Sequence, residues 1–129
     1  MVRLEDALKP RAVFVLRCEP RVLALRLKEK GYRPSKIMSN LWAEILDYSL
    51  QEALSVYPPS LIHEIDTTRR GLEEVVREAL DVLRGRVNPA YGRFNWLKKL
   101  EKEGLIGKIS AVRPQKALKL LLEAQSREA

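Results

Sequence analysis

"AVFVLRCEPRVLALRLKEKG", residues 12–31, decides how this chain is built. Its first six residues are a run of apolar, β-branched and aromatic side chains ending in Arg17, of a length that suits a buried parallel strand. Glu19-Pro20 follows at once, and proline's fixed φ and missing N–H suit the first position of a helix. Val22, Leu23, Leu25 and Leu27 then recur with helical spacing until Gly31 ends the run. A strand that runs straight into a helix opens a βαβ unit, so a second parallel strand is expected downstream.

That second strand is "LIHEID", residues 61–66. Between the two, Pro34 is placed to begin a helix running through Ile37, Leu41, Ile45, Leu46 and Leu50 to about Val56, where Pro58-Pro59 stops it. Behind the second strand, "TTRRG" (67–71) supplies a loop with two hydroxyls and two guanidiniums, and "LEEVVREALDVLRG" (72–85) reads as an amphipathic helix closed by Gly85. From Arg86 onward come a linker with Asn88-Pro89 and Gly92, a helix around Phe94 to Glu103, a break from Gly104 to Gly107, and a last helix from about Pro114 to Gln125. The fold class expected is α/β, a short two-stranded parallel sheet with helical crossovers and extra C-terminal helices.

With 129 residues, 46% apolar and 32% charged, the chain has the composition of one globular domain. It contains no apolar run of about 18 residues and no signal-peptide core, so no membrane partner and a cytoplasmic location are expected. The single Cys18 cannot form an internal disulfide and reads as a buried strand-end residue. The net charge of +7 is unevenly spread: residues 1–85 carry 14 Lys and Arg against 13 Asp and Glu, whereas residues 86–129 carry 10 against 4. Such a basic tail is either a solvated helix face or the footprint of a polyanionic partner.

In open α/β sheets, ligands bind beyond the carboxyl ends of parallel strands. Arg17 stands at one such end, and Thr67, Thr68, Arg69 and Arg70 stand at the other. Lys30, Arg33 and Lys36 bracket the helix-turn-helix between them, so a hairpin closing there would bring cations over phosphates at the strand tips. His63 has no nucleophile at a recognisable spacing and reads as a hydrogen-bonded structural residue. Trp42 and Tyr48 read as packing residues, and Glu44 as a supporting side chain within the hinge.

"VFVLRCEPRVLALRLKEKGY", "SKIMSNLWAEILDYSLQEAL" and "HEIDTTRRGLEEVVREALDVLRG" together resemble the second half of the adenylate kinase isoenzyme six family, nucleoside monophosphate kinases and ATPases linked to small ribosomal subunit maturation. The resemblance covers roughly residues 11–97. It rests on Leu16-Arg17, Lys30-Gly31-Tyr32, the spacing Lys36, Asn40, Glu44-Ile45, the loop Asp66 to Thr68, and Asn95-Trp96-Leu97. It implies a partial P-loop-kinase-like fold, with residues 1–86 as an adenylate-kinase-like core half, a helical lid at about 31–40, and residues 87–129 as linker and basic extension. ATP and AMP are the implied ligands and magnesium the implied ion. The resemblance points to Lys30 and to Arg69 or Arg70 as ATP contacts, and with the residues placed at the strand ends and hairpin the expected binding set is Arg17, Lys30, Arg33, Lys36, Thr68, Arg69 and Arg70, with no catalytic residue or metal ligand assigned. Lys30 stands where the family usually carries arginine, which keeps the charge but gives up bidentate phosphate contact.

One family hallmark is missing: no window fits the phosphate loop G-x-x-x-x-G-K-S/T. Residue 1 falls just ahead of what would be the family's fourth strand, so the chain alone is expected to be inactive in phosphoryl transfer. Its first strand would then expose an unpaired edge, open to the missing N-terminal half, to a second copy, or to the extra C-terminal helices folded back. The alternative function is a non-catalytic module whose basic tail binds RNA or a small-subunit ribosomal protein.

Overall fold

A computed structural model describes residues 9–128. Its two strands, β1 (Val13–Arg17) and β2 (Ile62–Asp66), pair in parallel in the register Val13↔Ile62 to Arg17↔Asp66. Between them lie α1 (Pro20–Glu29), α2 (Pro34–Ile45), α3 (Tyr48–Val56) and a single 3₁₀ turn at Pro59–Leu61. Beyond β2 come α4 (Leu72–Leu83), α5 (Trp96–Lys102), α6 (Leu105–Ser110) and α7 (Pro114–Glu128). The described residues are therefore mixed α/β, with seven helices beside a two-stranded parallel sheet, consistent with a partial P-loop-kinase-like fold. No described helix is long and apolar enough to cross a membrane.

Local chemistry explains the abrupt turn from β1 into α1. The Glu19 side chain caps the helix by accepting from the backbone N–H groups of Arg21 at 3.2 Å and Val22 at 3.3 Å, and Pro20 fills the first position, where no N–H is needed. At the other end Gly31 adopts φ 84°, which lets the Gly31 amide reach Lys28 O at 2.9 Å and the Tyr32 amide reach Leu27 O at 3.2 Å. That paired closure reverses the chain toward α2 and needs a residue without a Cβ penalty.

The helix expected to run unbroken from Pro34 to Val56 is instead two helices. Asp47 breaks it at φ 58°, a left-handed conformation that a short polar side chain tolerates. Arg17 accounts for the break, since its Nη2 donates both to the Glu44 carbonyl at 3.1 Å and to the Asp47 carboxylate at 2.6 Å. Tyr48, expected to pack, starts the new helix 68% exposed, whereas Trp42 does pack against the core. Further along, Asn95 caps α5 through its side chain, which accepts from the Lys98 amide at 3.0 Å, so Phe94 lies outside the helix. The break expected at Gly104 to Gly107 is confined to Gly104, and Gly107 lies within α6.

Two apolar clusters hold the molecule. The smaller joins Val15 and Ile62 of the sheet to Leu50 and Ala53 of α3. In the larger, Ala24 and Leu27 of α1 and Ile37, Met38, Leu41 and Ile45 of α2 meet Leu100, Leu105, Ile109, Ala117, Leu118 and Leu121. Half of that cluster comes from the C-terminal helices. The segment expected as a basic extension thus closes over the α1–α2 hairpin and supplies the apolar surface that the hairpin buries.

The sheet edges differ. Alternation along the strands puts Val13, Val15 and Ile62 on the face covered by α3, and Phe14, Leu16, His63 and Ile65 on the other, where His63 reaches Glu78 of α4. The outer edge of β2 is covered by the chain itself: the Glu64 amide donates to Ala90 O at 2.9 Å, and Arg93 Nη2 donates to Glu64 O at 2.7 Å. No described segment pairs with the outer edge of β1, and Leu16 there is 57% exposed.

Candidate functional site at the strand tips

Parallel strands end together, so Arg17 and Asp66, the last residues of β1 and β2, sit side by side. Arg17 is 1% exposed and spends all three of its nitrogens on protein acceptors. Nε donates to Glu44 Oε1 at 2.9 Å, Nη2 to Asp47 and the Glu44 carbonyl, and Nη1 to the buried Glu64 carboxylate. Phe94 stacks its ring 5.3 Å from the guanidinium carbon. Burial by itself would lower the Arg17 pKa, but the bonds from Glu44, Asp47 and Glu64 outweigh it and hold the charge more firmly than usual. The expectation that Arg17 meets a ligand phosphate is therefore corrected: its side chain lies under the site and ties β1, β2, α2 and the α2–α3 junction together.

Glu44 is the counterpart of this node. Its Oε1 also accepts from the Cys18 amide at 3.0 Å and from Trp96 Nε1 at 3.0 Å, which fixes the indole at the start of α5 against the tip of β1. Cys18 is buried, and burial pushes its thiol pKa up, which makes it a poor nucleophile. His63 is held as expected: the Ala90 amide donates to Nδ1 at 3.0 Å, so the ring carries its proton on Nε2 and donates to Glu78 at 2.6 Å. For Glu78, desolvation raises the pKa, but hydrogen bonds from His63 and Arg70 outweigh it, and the carboxyl sits below its ordinary value.

The loop behind β2 is latched onto the tip of β1. Thr67 donates to Arg17 O from both its amide (2.7 Å) and its hydroxyl (2.8 Å). Arg26 of α1, read from the sequence only as part of a helical pattern, donates to the carbonyls of Thr67 at 2.6 Å and Thr68 at 2.9 Å. The Thr68 hydroxyl accepts from the Glu19 amide at 3.0 Å and donates to Asp66 at 2.5 Å. Thr68 is therefore a structural latch as well as a candidate contact. Arg70 bonds Glu78 at 2.7 Å, and that bond raises its pKa. Arg69 alone of the loop's cations projects outward with no side-chain partner among the described residues.

These residues line a cleft of about 330 Å³ that Thr68, Arg69 and Arg70 share with Trp96 and Lys99. Arg33 and Lys36 line a different cleft, of about 530 Å³, with Tyr32 and Ser35, and Lys30 lines neither. The structure thus brings Thr68, Arg69 and Arg70 together, and Arg33 with Lys36, but it does not join the two groups. Trp96 and Lys99 were missed as site residues because they lie far along the chain from the loop they face, and only the packing of α5 carries them there. Among the described residues no group of three His, Cys, Asp or Glu side chains could hold a metal ion. The acidic groups at the tips are already taken up by Arg17, Thr68 and the α1 cap.

The chain is similar to known proteins over most of its length. No protein-family model matches it. A protein of Archaeoglobus fulgidus named "Putative adenylate kinase" is 42% identical over 104 residues, 76% of this chain and 56% of the relative. Proteins of the same name from Methanocaldococcus jannaschii and Pyrococcus furiosus are 36% and 40% identical over 71% and 70% of this chain, each match covering 49% of the relative. These similarities are consistent with a partial adenylate-kinase-like protein. It spans about half the length of the curated relatives it matches. The adenylate-kinase-like resemblance therefore extends from spaced motifs to most of the chain.

Proposed function

We propose that this adenylate-kinase-like chain binds adenine nucleotides, ATP and AMP, at the tips of its two strands. The observation that carries the reading is the loop 67–70, held rigidly to β1 by Arg26, Thr67 and Thr68 while Arg69 is left without a protein counter-charge. A preorganised loop that presents an unspent guanidinium is what phosphate binding needs, because little ordering entropy is lost when the anion arrives. Lys30, Arg33 and Lys36 are exposed and have no carboxylate partner among the described residues, so they remain available on the hairpin to approach a bound triphosphate. Closure of residues 31–40 over the ligand would join the second cleft to the first. Magnesium would arrive on the nucleotide phosphates, since such ions are commonly held by one or two carboxylates plus phosphate.

Phosphoryl transfer is the activity of the whole fold rather than of this half. The outer edge of β1, unpaired among the described residues, would seat the remainder of a kinase-type sheet, the portion of the relatives that this chain does not span. Helix α4 supports that reading, since it leaves Leu72, Val76, Leu80 and Leu83 exposed on one face, with Leu72 at 79%. Helix α3 likewise lines a groove along β1 with Ala53, Val56 and Tyr57. Parallel strands are usually covered on both faces, and here the covering helices offer more apolar surface than two strands occupy.

Calorimetric titration with ATP and AMP, with and without magnesium, tests the proposal. Saturable heat at sub-millimolar nucleotide is expected, with no turnover by the chain alone. Absence of heat at millimolar nucleotide, combined with RNA binding that weakens steeply with salt, favours the module that uses the exposed lysines of α5–α7 for RNA or a ribosomal protein.

A further inference from the structure

We propose that Trp96 and Lys99, together with Arg69, form a platform for a nucleoside phosphate, the indole stacking on the base and the two cations meeting the phosphate. This rests on the nucleotide reading above and adds to it the residues that touch the base. Most charges in the cleft are already paired within the protein. Glu19 is taken by Arg21 and by the backbone of α1. Arg21 is also paired with Glu103 at 3.1 Å. Asp66 is taken by the amide and hydroxyl of Thr68, and Arg70 by Glu78 and Glu74. Two cations in the cleft remain without a carboxylate among the described residues: Arg69, and Lys99, whose one contact is with the Trp96 ring, its ammonium 5.8 Å from the centroid.

The aromatic in the same cleft is not free to reorient. Trp96 is half-buried, its Nε1 donates to Glu44 at 3.0 Å, and Phe94 packs against it with ring centroids 5.5 Å apart. A fixed π surface beside two unspent cations in a concave site matches a ligand with a flat heteroaromatic face and an anionic arm. A simple phosphate would leave the indole unused, and an apolar ring would leave the cations unpaired. A nucleoside phosphate uses both.

The test uses the full chain carrying Trp42→Phe, so that Trp96 is the remaining indole of the two in the sequence. Titration with ATP and with adenosine should change the Trp96 emission. Trp96→Leu should weaken both ligands about tenfold or more, while Trp96→Phe, which keeps an aromatic face, should retain most of the affinity. Lys99→Gln should weaken ATP severalfold and leave adenosine unchanged. ATP binding seen by calorimetry, with Trp96 emission unmoved and the same affinity in Trp96→Leu, overturns the platform and leaves the nucleotide reading standing. No heat with any nucleotide at millimolar concentration overturns both. Should Trp96→Leu fail to fold by circular dichroism, the exposed variants Lys99→Gln and Arg69→Gln decide the question: unchanged ATP affinity in both rules the platform out.

Discussion

Arg17 shows how a residue can sit at the expected end of a strand and still serve a different purpose. A basic side chain at a strand's carboxyl end suggests an anion partner, and the partners here are anions of the protein, from positions 44, 47 and 64. One guanidinium among three carboxylates is an unbalanced arrangement, so the two ways of breaking it should differ. Arg17→Met leaves the buried Glu64 without a counter-ion and should cost about 3–5 kcal/mol in urea denaturation, whereas Glu64→Gln leaves Arg17 two carboxylates and should cost less. Equal losses would mean that the node acts as a set of independent pairs. A second residue-scale expectation concerns Glu78, whose folded-state pKa is depressed. A depressed carboxyl contributes stability that is fully present above its unfolded value, near about 4.3, and is lost as pH falls through the folded value. The stability gap between the wild-type chain and Glu78→Gln should therefore stay constant from neutral pH to about pH 5 and shrink below about pH 4. A gap that does not change with acidification would remove the ion pair from the account.

At the scale of elements, most of the architecture was legible because it rests on local chemistry. Pro20, Gly31 and Pro34 mark the ends of α1 and the start of α2, and both strands fall within one residue of the apolar runs that announced them. What was not legible depends on distant partners. The left-handed turn at Asp47 exists because Arg17, 30 residues earlier, bonds it, and no local signal at Leu46-Asp47 announces a break. The seven- and six-residue helices α5 and α6 are held by burial of Leu100, Leu105 and Ile109, since helices this short have little stability of their own. The site shows the same division: the loop 67–70 was readable from its position behind a strand, and Trp96 with Lys99 was not. Helix α7 offers the clearest element-scale test. It looks like a basic appendage, yet Leu121 is fully buried against the hairpin helices. Leu121→Ala should cost about 2–5 kcal/mol, while Lys119→Ala on its exposed side should stay within about 0.5 kcal/mol, both measured by urea unfolding. A small effect of Leu121→Ala would mean that α7 is dispensable to the core.

Among the described residues, the molecule is finished on one side and open on the other. The hairpin α1–α2 is sealed by α5–α7, the outer edge of β2 is covered by residues 90–93, and the strand-tip loop is latched. The outer edge of β1 and the apolar rows of α3 and α4 beside the sheet have no such cover among the described residues. Edges of this kind template further strand pairing unless they are charged or shielded, and β1 is apolar until Arg17, whose own charge is turned inward. The portion of the relatives that this chain does not match, about half of each, suggests an occupant: under the proposed function, the rest of a kinase-type sheet would enter as a parallel strand beside β1. If that holds, the unmatched portion of the Archaeoglobus relative, added as a separate polypeptide, should bind this chain and restore transfer between ATP and AMP that neither piece performs alone. Leu16→Lys, which charges the exposed edge without touching the strand-tip cleft, should abolish that association while leaving nucleotide binding by the isolated chain unchanged. Analytical ultracentrifugation of the mixture separates the outcomes. A heterodimer that Leu16→Lys prevents places the partner on β1, a self-associated species of this chain alone gives the edge to a second copy, and association insensitive to Leu16→Lys means the seat lies elsewhere.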